Sequence, residues 1–425
     1  MNIAKTYGSW VKSCMEKDPE KAGSRIRRGL HLESFRVRHF SDKRMPKAYR
    51  YLNYMAIRLV ADALDKPDTL AYINIFAPVE ILECFGLTCV SMEALASYLS
   101  GFYMEDVLID RAEALGIAPT LCTYHKNFIG AMDSGILPKP EIGVTTTMVC
   151  DGNVNTFRYL QDRFDVPCCV LDIPHSYSPE AEQYVVRQLR ELIAALEKKT
   201  GRTLDMEELK ERLRRENRSK EYYMDFLRKR AVRSYPNTLT LMLFQLFASH
   251  LDIGMDWVEK CFRMMDEEID TYPVSDELRL FWIHVEPYPE PTLRAYLNYG
   301  EEVTIAGGDF DLDYTEPLDA EHPLEALARK MICNIYNGDF SRKADAIEKM
   351  VQTCKPDGVV EYCHWGCRQS AGGAGLIRER MKKLNVPMLV LDGDAIDRRN
   401  TQDGQIRTRF EAFLEVLRQQ RKDAE

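Results

Sequence analysis

Three cysteines share a setting that suits them to chemistry: Cys122 in Thr120-Leu121-Cys122-Thr123, Cys150 in Val149-Cys150-Asp151-Gly152, and Cys367 in Trp365-Gly366-Cys367-Arg368. Each is expected where a strand-like run gives way to a loop or helix. There a thiolate projects from a sheet edge, and amides at the start of the next helix lower its pKa and donate to whatever it binds. The spacing is neither that of a compact C-x-x-C ferredoxin nor that of a zinc ribbon, so a shared metal or cluster would be assembled from distant segments. Spacing alone leaves open both a shared site and three small buried hydrophobes. Gly366 and the run Ala371-Gly372-Gly373-Ala374-Gly375 remove side chains near Cys367. That absence is expected where a bulky cofactor approaches the backbone, with tight helix packing as the alternative. The run lacks the Lys-Ser/Thr of a P-loop and is weak support for a nucleotide.

The chain holds 12 cysteines in 425 residues, with 29% charged and 45% hydrophobic residues and a net charge of -9. That balance is one of a soluble globular protein with two or three cores, and its negative sign argues against a surface that neutralises nucleic-acid phosphates. The first twenty residues hold no apolar stretch long enough for a signal peptide, and no later segment approaches a membrane span, so a cytoplasmic location is expected. Thiols stay reduced in that compartment, which favours metal or catalytic roles for some cysteines over a disulfide framework. Cys14, Cys261 and Cys333 read as ordinary helix-face residues.

The elements that would position the three cysteines follow an α/β pattern. From Thr69 onward short β-rich runs alternate with helix-period runs, as in Ala71 to Phe76 followed by Pro78 to Phe85. The unit from Ile142 passes through Cys150-Asp151-Gly152 and a helix to the strand Cys168 to Leu171 and Asp172. A second unit from Asp357 passes through Cys363-His364-Trp365-Gly366-Cys367 and a helix to Met388 to Leu391 and Asp392. Both hand over through Val-Pro and close on Val-Leu-Asp. The fold class predicted is α/β, with two Rossmann-like parallel-sheet halves and a helical insertion between them, each half presenting a cysteine loop where open sheets place their ligands. The divisions are 1–68, an N-terminal helical or extended segment; 69–177, the first α/β domain; 178–275, the helical insertion; and 276–425, the second α/β domain. Phe410, Phe413, Leu414 and Leu417 predict a closing amphipathic helix.

Four segments together resemble a known family: Cys363-His364-Trp365-Gly366-Cys367-Arg368-Gln369-Ser370, the Cys150-Asp151-Gly152 loop, Pro78-Val79-Glu80-Ile81-Leu82 with Gly86, and Gln405 to Glu415. The chain from about Thr69 to Leu417 is similar to the 2-hydroxyacyl-CoA dehydratases and benzoyl-CoA reductases. The resemblance implies a [4Fe–4S] cluster held by Cys122, Cys150 and Cys367, with one iron open to a substrate oxygen or water. It further implies an acyl-CoA substrate, a homologous second subunit or a homodimer, and an ATP-dependent activator with its own iron–sulfur cluster that supplies an electron. Glu80 matches the family's Pro-x-Glu carboxylate, a candidate catalytic group; helix-dipole stabilisation in a first turn is its alternative. His125, His364 and Arg368 lie beside candidate ligands, as donors or as structural neighbours. Cys84, Cys89, Cys354 and above all Cys363 exceed what one such cluster uses. They keep open a related branch with a double-cubane [8Fe–9S] cluster that reduces small molecules. An electron-relay or binding subunit, and a zinc protein using the same thiolates, also remain.

Overall fold

The computed structural model describes residues 2–424. Three helices come first: α1 (Ile3–Met15), α2 (Pro19–His39) and α3 (Lys47–Leu64). The first α/β half follows as β1 (Leu70–Ile73), α4 (Val79–Cys84), β2 (Thr88–Ser91), α5 (Met92–Gly101), α6 (Glu105–Ala114), α7 (Thr123–Asp133), β3 (Ile142–Thr146), α8 (Asp151–Phe164) and β4 (Cys168–Leu171). Helices α9 (Pro179–Thr200), α10 (Met206–Arg230), α11 (Leu239–Leu251) and α12 (Asp256–Ile269) form the insertion. The second half contains β5 (Leu278–Ile283), α13 (Pro291–Leu297), β6 (Val303–Gly308), α14 (Pro323–Ile332), α15 (Phe340–Cys354), β7 (Gly358–His364), α16 (Arg368–Ala371), α17 (Ala374–Lys383), β8 (Met388–Gly393) and α18 (Asp403–Ala424).

Each half holds a four-stranded sheet, ordered β2-β1-β3-β4 in one and β6-β5-β7-β8 in the other. Every ladder is parallel. The two orders are the same when strands are counted within each half, so the predicted pair of related halves stands. Parallel strands covered on both faces read as continuous apolar runs, and the central strands β1, β3 and β7 are buried along their whole lengths. α18 buries Phe410, Phe413, Leu414 and Leu417 as its spacing predicts. Among the described residues no helix is long and apolar enough to cross a membrane.

Strand β7 carries one costly residue. Glu361 has no solvent exposure, and neither carboxylate oxygen has a hydrogen-bond partner. Burial raises its pKa to about 7, with the nearby Lys343 opposing. The folded chain therefore holds this proton more tightly than the unfolded one, so the favourable contribution is full at low pH and is lost as pH rises through about 7. Glu361→Gln is expected to stabilise the protein at pH 8 by about 1–3 kcal/mol and to do little at pH 4. Thermal melts of both proteins at the two pH values check this.

Candidate functional site

In each sheet the chain leaves the two central strands in opposite directions, between β1 and β3 and between β5 and β7. Such a switch point opens a crevice at the carboxyl ends of the strands. The four connections that begin there lead to Glu80 in the first turn of α4 and to Cys150, His284 and Cys367 in the loops after β3, β5 and β7. The two crevices face each other. Arg398 donates to Glu105 at 2.6 Å, Thr123 donates to Asp394 at 2.7 Å, and Tyr288 Oη donates to the Ser97 carbonyl at 2.9 Å, all across the two halves.

Cys122, Cys150 and Cys367 are the N-cap residues of α7, α8 and α16. All three have non-helical backbone angles and make no ordinary side-chain cap. The thiols are left to face inward, beside the unpaired amides of a helix start. The nearby Tyr124 amide favours the thiolate of Cys122, and the Gly152 and Asn153 amides favour that of Cys150, each opposing the effect of burial. Each sulfur also meets a histidine: Cys122 Sγ lies 3.2 Å from His364 Nε2, Cys150 Sγ 3.3 Å from His125 Nε2, and Cys367 Sγ 3.4 Å from His284 Nε2. The tautomer of His364 is fixed, because its Nδ1 accepts the Ala395 amide at 3.1 Å. Its Nε2 must then carry the proton and donate to Cys122. Burial lowers the pKa of all three histidines, that of His125 to about 4, which keeps the rings neutral.

Backbone strain gathers at the same place. Val149, β-branched and just before Cys150, has φ 66°, and His284 has φ 75°. Both sit in the left-handed region that such residues avoid. The His284 amide donates to Asp309 Oδ1 at 2.7 Å, and Asp309 is paired with the buried Lys343 at 3.0 Å, a brace that holds the strained turn. Gly366 has φ 79°, and a Cβ there would lie 2.7 Å from the Cys122 nitrogen and 2.8 Å from its Cα. Gly366→Ala is expected to cost about 1–3 kcal/mol and to push two cysteine segments apart, read by thermal unfolding and by iron retention.

Burial pushes the Cys122 thiol far up, with Cys367 and Cys150 adding to it, and burial followed by Cys367 pushes Cys150 up to about 12. Three thiolates in one space thus require positive charge between them. The donor set fits an iron–sulfur cluster in kind: soft sulfur ligands, inward amides and neutral histidine donors for sulfur. Among the described residues no group of three or more His, Cys, Asp or Glu side chains is placed to hold a metal ion.

Glu80 is 3% exposed, and its Oε1 accepts from Lys330 Nζ at 2.8 Å. Lys330 also donates to Glu216 Oε1 at 2.8 Å, and Lys220 pairs with Glu216 at 2.9 Å. Burial raises the Glu80 pKa, and Lys330 opposes the rise. Glu80 therefore belongs to a buried network joining α4, α10 and α14, a stronger anchor than the helix dipole. It also lines a narrow cavity together with Phe76, Met148, His250, Lys330 and Asn334.

Several expectations change. Cys122 follows no strand: a turn joins α6 to α7, because Pro119 lacks an amide hydrogen and Gly116 (φ 90°) reverses the chain. The glycine run after Cys367 makes no room for a cofactor at Gly373, where a Cβ would strike the Phe340 ring at 1.8 Å; close packing of α15 on α17 explains it. Cys363 is buried in β7 with its thiol directed at the Ser370 carbonyl, 3.7 Å away. Cys84 and Cys89 lie near Glu83 and Arg212, and Cys354 lies near Asp311 and Arg230. Arg368 points to solvent and meets Asp151 at 2.7 Å, an exposed pair between two cysteine loops. Sequence reasoning missed His284 altogether; its only signal is its place directly after a strand at a switch point.

The fold and site define a protein of two parallel-sheet α/β halves in which N-cap cysteines from three distant segments each meet a histidine. The chain matches the family model described as 2-hydroxyglutaryl-CoA dehydratase, D-component, over residues 74–417, and it belongs to that family. It is 24% identical over 411 residues to the (R)-phenyllactyl-CoA dehydratase alpha subunit of Clostridium sporogenes, covering 90% of this chain and 98% of that protein. It is 22% identical to the alpha subunit of lactoyl-CoA dehydratase from Anaerotignum propionicum, covering 80% of this chain and 89% of the relative. It is also 22% identical to a benzoyl-CoA reductase subunit of Thauera aromatica, covering 81% of this chain and 88% of the relative.

Proposed function

We propose that this chain is the [4Fe–4S]-holding subunit of an (R)-2-hydroxyacyl-CoA dehydratase, a hydro-lyase that converts a 2-hydroxyacyl-CoA to a 2-enoyl-CoA by syn removal of water. The supporting observation is the set of three N-cap cysteines, each with its own histidine, at the meeting of the two sheet edges. The names of the family relatives point to the same reaction class.

The reaction explains the need for such a site. In a 2-hydroxyacyl thioester the hydroxyl is on the α-carbon and the departing proton on the β-carbon, which the carbonyl does not acidify, so acid–base elimination alone fails. One electron added to the thioester carbonyl gives a ketyl radical anion that expels the hydroxide, and the resulting enoxy radical has an acidified β-proton. After that proton leaves, the electron returns from the product radical anion to its donor, leaving the 2-enoyl thioester. Cys122, Cys150 and Cys367 would hold the cluster, which when bound would supply the one-electron chemistry. Around it the protein's own groups hold the thiolates by helix amides and histidine N–H donors, and the buried walls exclude water. The Glu80–Lys330 pair places fixed charge in the adjoining cavity.

Relatives are named as subunits of dehydratases and of a reductase, which supports a homologous partner chain. The electron source is an ATP-dependent activator with its own iron–sulfur cluster. The test is anaerobic turnover of (R)-phenyllactyl-CoA and lactoyl-CoA with activator, ATP and reductant, with and without the partner. Enoyl-CoA formation that depends on activator and ATP is expected. Iron-loaded protein that turns over neither substrate, with partner and activator present, contradicts the reading.

A further inference from the structure

The narrow cavity lined by Glu80, about 20 Å³, is also lined by Met148, two residues before Cys150, and has room for one hydroxyl or methylene. Its lining includes two carboxylates already held by cations or amides and one histidine nitrogen that is not. Glu80 is tied to Lys330, and Asp313 Oδ2 accepts from Asn334 Nδ2 at 2.5 Å. His250, 6% exposed, has its Nδ1 2.9 Å from the Leu246 carbonyl, one helical turn back in α11, and 2.9 Å from Ser249 Oγ, whose own proton goes to that carbonyl at 3.1 Å. A carbonyl only accepts, so Nδ1 carries the proton and Nε2 presents a lone pair. That Nε2 is buried and has no hydrogen-bond partner. A buried acceptor without a partner costs free energy, and its persistence beside a cavity marks a place where a ligand supplies what is missing. The ring is held between Phe76 (5.7 Å) and Phe310 (6.1 Å), and Phe310 in turn packs on His284, the partner of Cys367.

We infer that His250 is the base that takes the β-proton of the acyl chain, an assignment that rests on the dehydratase reading. The β-carbon enters the cavity and its hydrogen moves to Nε2 as a proton. The C–H electron pair stays on the substrate as part of the new double bond, and the ring becomes an imidazolium. No oxidant is consumed in this step. Glu80 and Lys330, locked to each other, fix the charge around the site and do not carry the proton.

Two variants separate base from scaffold. His250→Asn keeps a donor for the Leu246 carbonyl and has nothing at the Nε2 position; His250→Gln puts there an amide that cannot take a proton. Both are assayed with (R)-phenyllactyl-CoA and lactoyl-CoA, unlabelled and deuterated at the β-carbon, alongside iron analysis. Wild-type iron content, a fall in kcat of about 10²–10⁴-fold and a larger β-deuterium isotope effect are expected. Asn activity within a few-fold of wild type, a fall in kcat with an unchanged isotope effect, or loss of iron from both variants overturns the assignment alone. An iron-loaded wild type that turns over neither substrate overturns the dehydratase reading and this assignment with it.

Discussion

Cys150→Ser and Cys367→Ser are each expected to lower bound iron from about four per chain to less than one and to reduce turnover to background, while Cys14→Ser leaves both unchanged. Serine is a harder ligand whose hydroxyl resists ionisation, so it cannot replace a thiolate toward iron. It is also a better N-cap than cysteine, able to accept from the helix amides that now face the sulfur. The apo variants should therefore melt no lower than apo wild type, which separates lost ligation from lost folding. Cys14 serves as the control because its thiol donates to the Val11 carbonyl at 3.3 Å and accepts from Arg25 Nη1 at 3.1 Å, on a helix far along the chain from the site. Iron and sulfide analysis after anaerobic reconstitution, with thermal unfolding of the apo proteins, is the check.

Lys330→Met is expected to destabilise the fold by about 3–5 kcal/mol, because it leaves Glu80 without its cation and Glu216 with only Lys220. Glu80, Glu216 and Lys220 are almost wholly buried and the Lys330 side chain is 14% exposed, so water does little to make good the loss. A second change, Glu80→Gln, removes one orphaned charge and should restore part of the stability. The double variant is then more stable than Lys330→Met alone, a non-additivity typical of groups in contact. Urea unfolding of wild type, the two single variants and the double variant measures it. Equal destabilisation in Lys330→Met and in the double variant would mean that the network does not couple α4 to α14.

Much of the fold is legible in the sequence because parallel α/β units leave local marks. The Val-Pro and Val-Leu-Asp echoes bracket two cysteine loops, and the structure gives both halves the same strand order. That pattern is enough to put Cys150 and Cys367 at strand ends. Cys122 lies after a turn between helices, where local periodicity says nothing of a sheet edge, and only the resemblance joins it to the other two. Strand β2 is four residues long and its first two positions are half-buried, too little signal for periodicity. The histidine partners are spread from His125 to His364, a relation set by tertiary packing. His250 is hidden for another reason: α11 is buried around its whole circumference, so apolar spacing assigns no inward face.

The central claim is that Cys122, Cys150 and Cys367 hold one [4Fe–4S] cluster. Purification without oxygen, followed by iron, acid-labile sulfide and zinc analysis with a visible spectrum, tests it most directly. About four irons and four sulfides per chain, with the broad absorption of a cluster, is the predicted result. Zinc in place of iron, or roughly eight irons per chain, would contradict it.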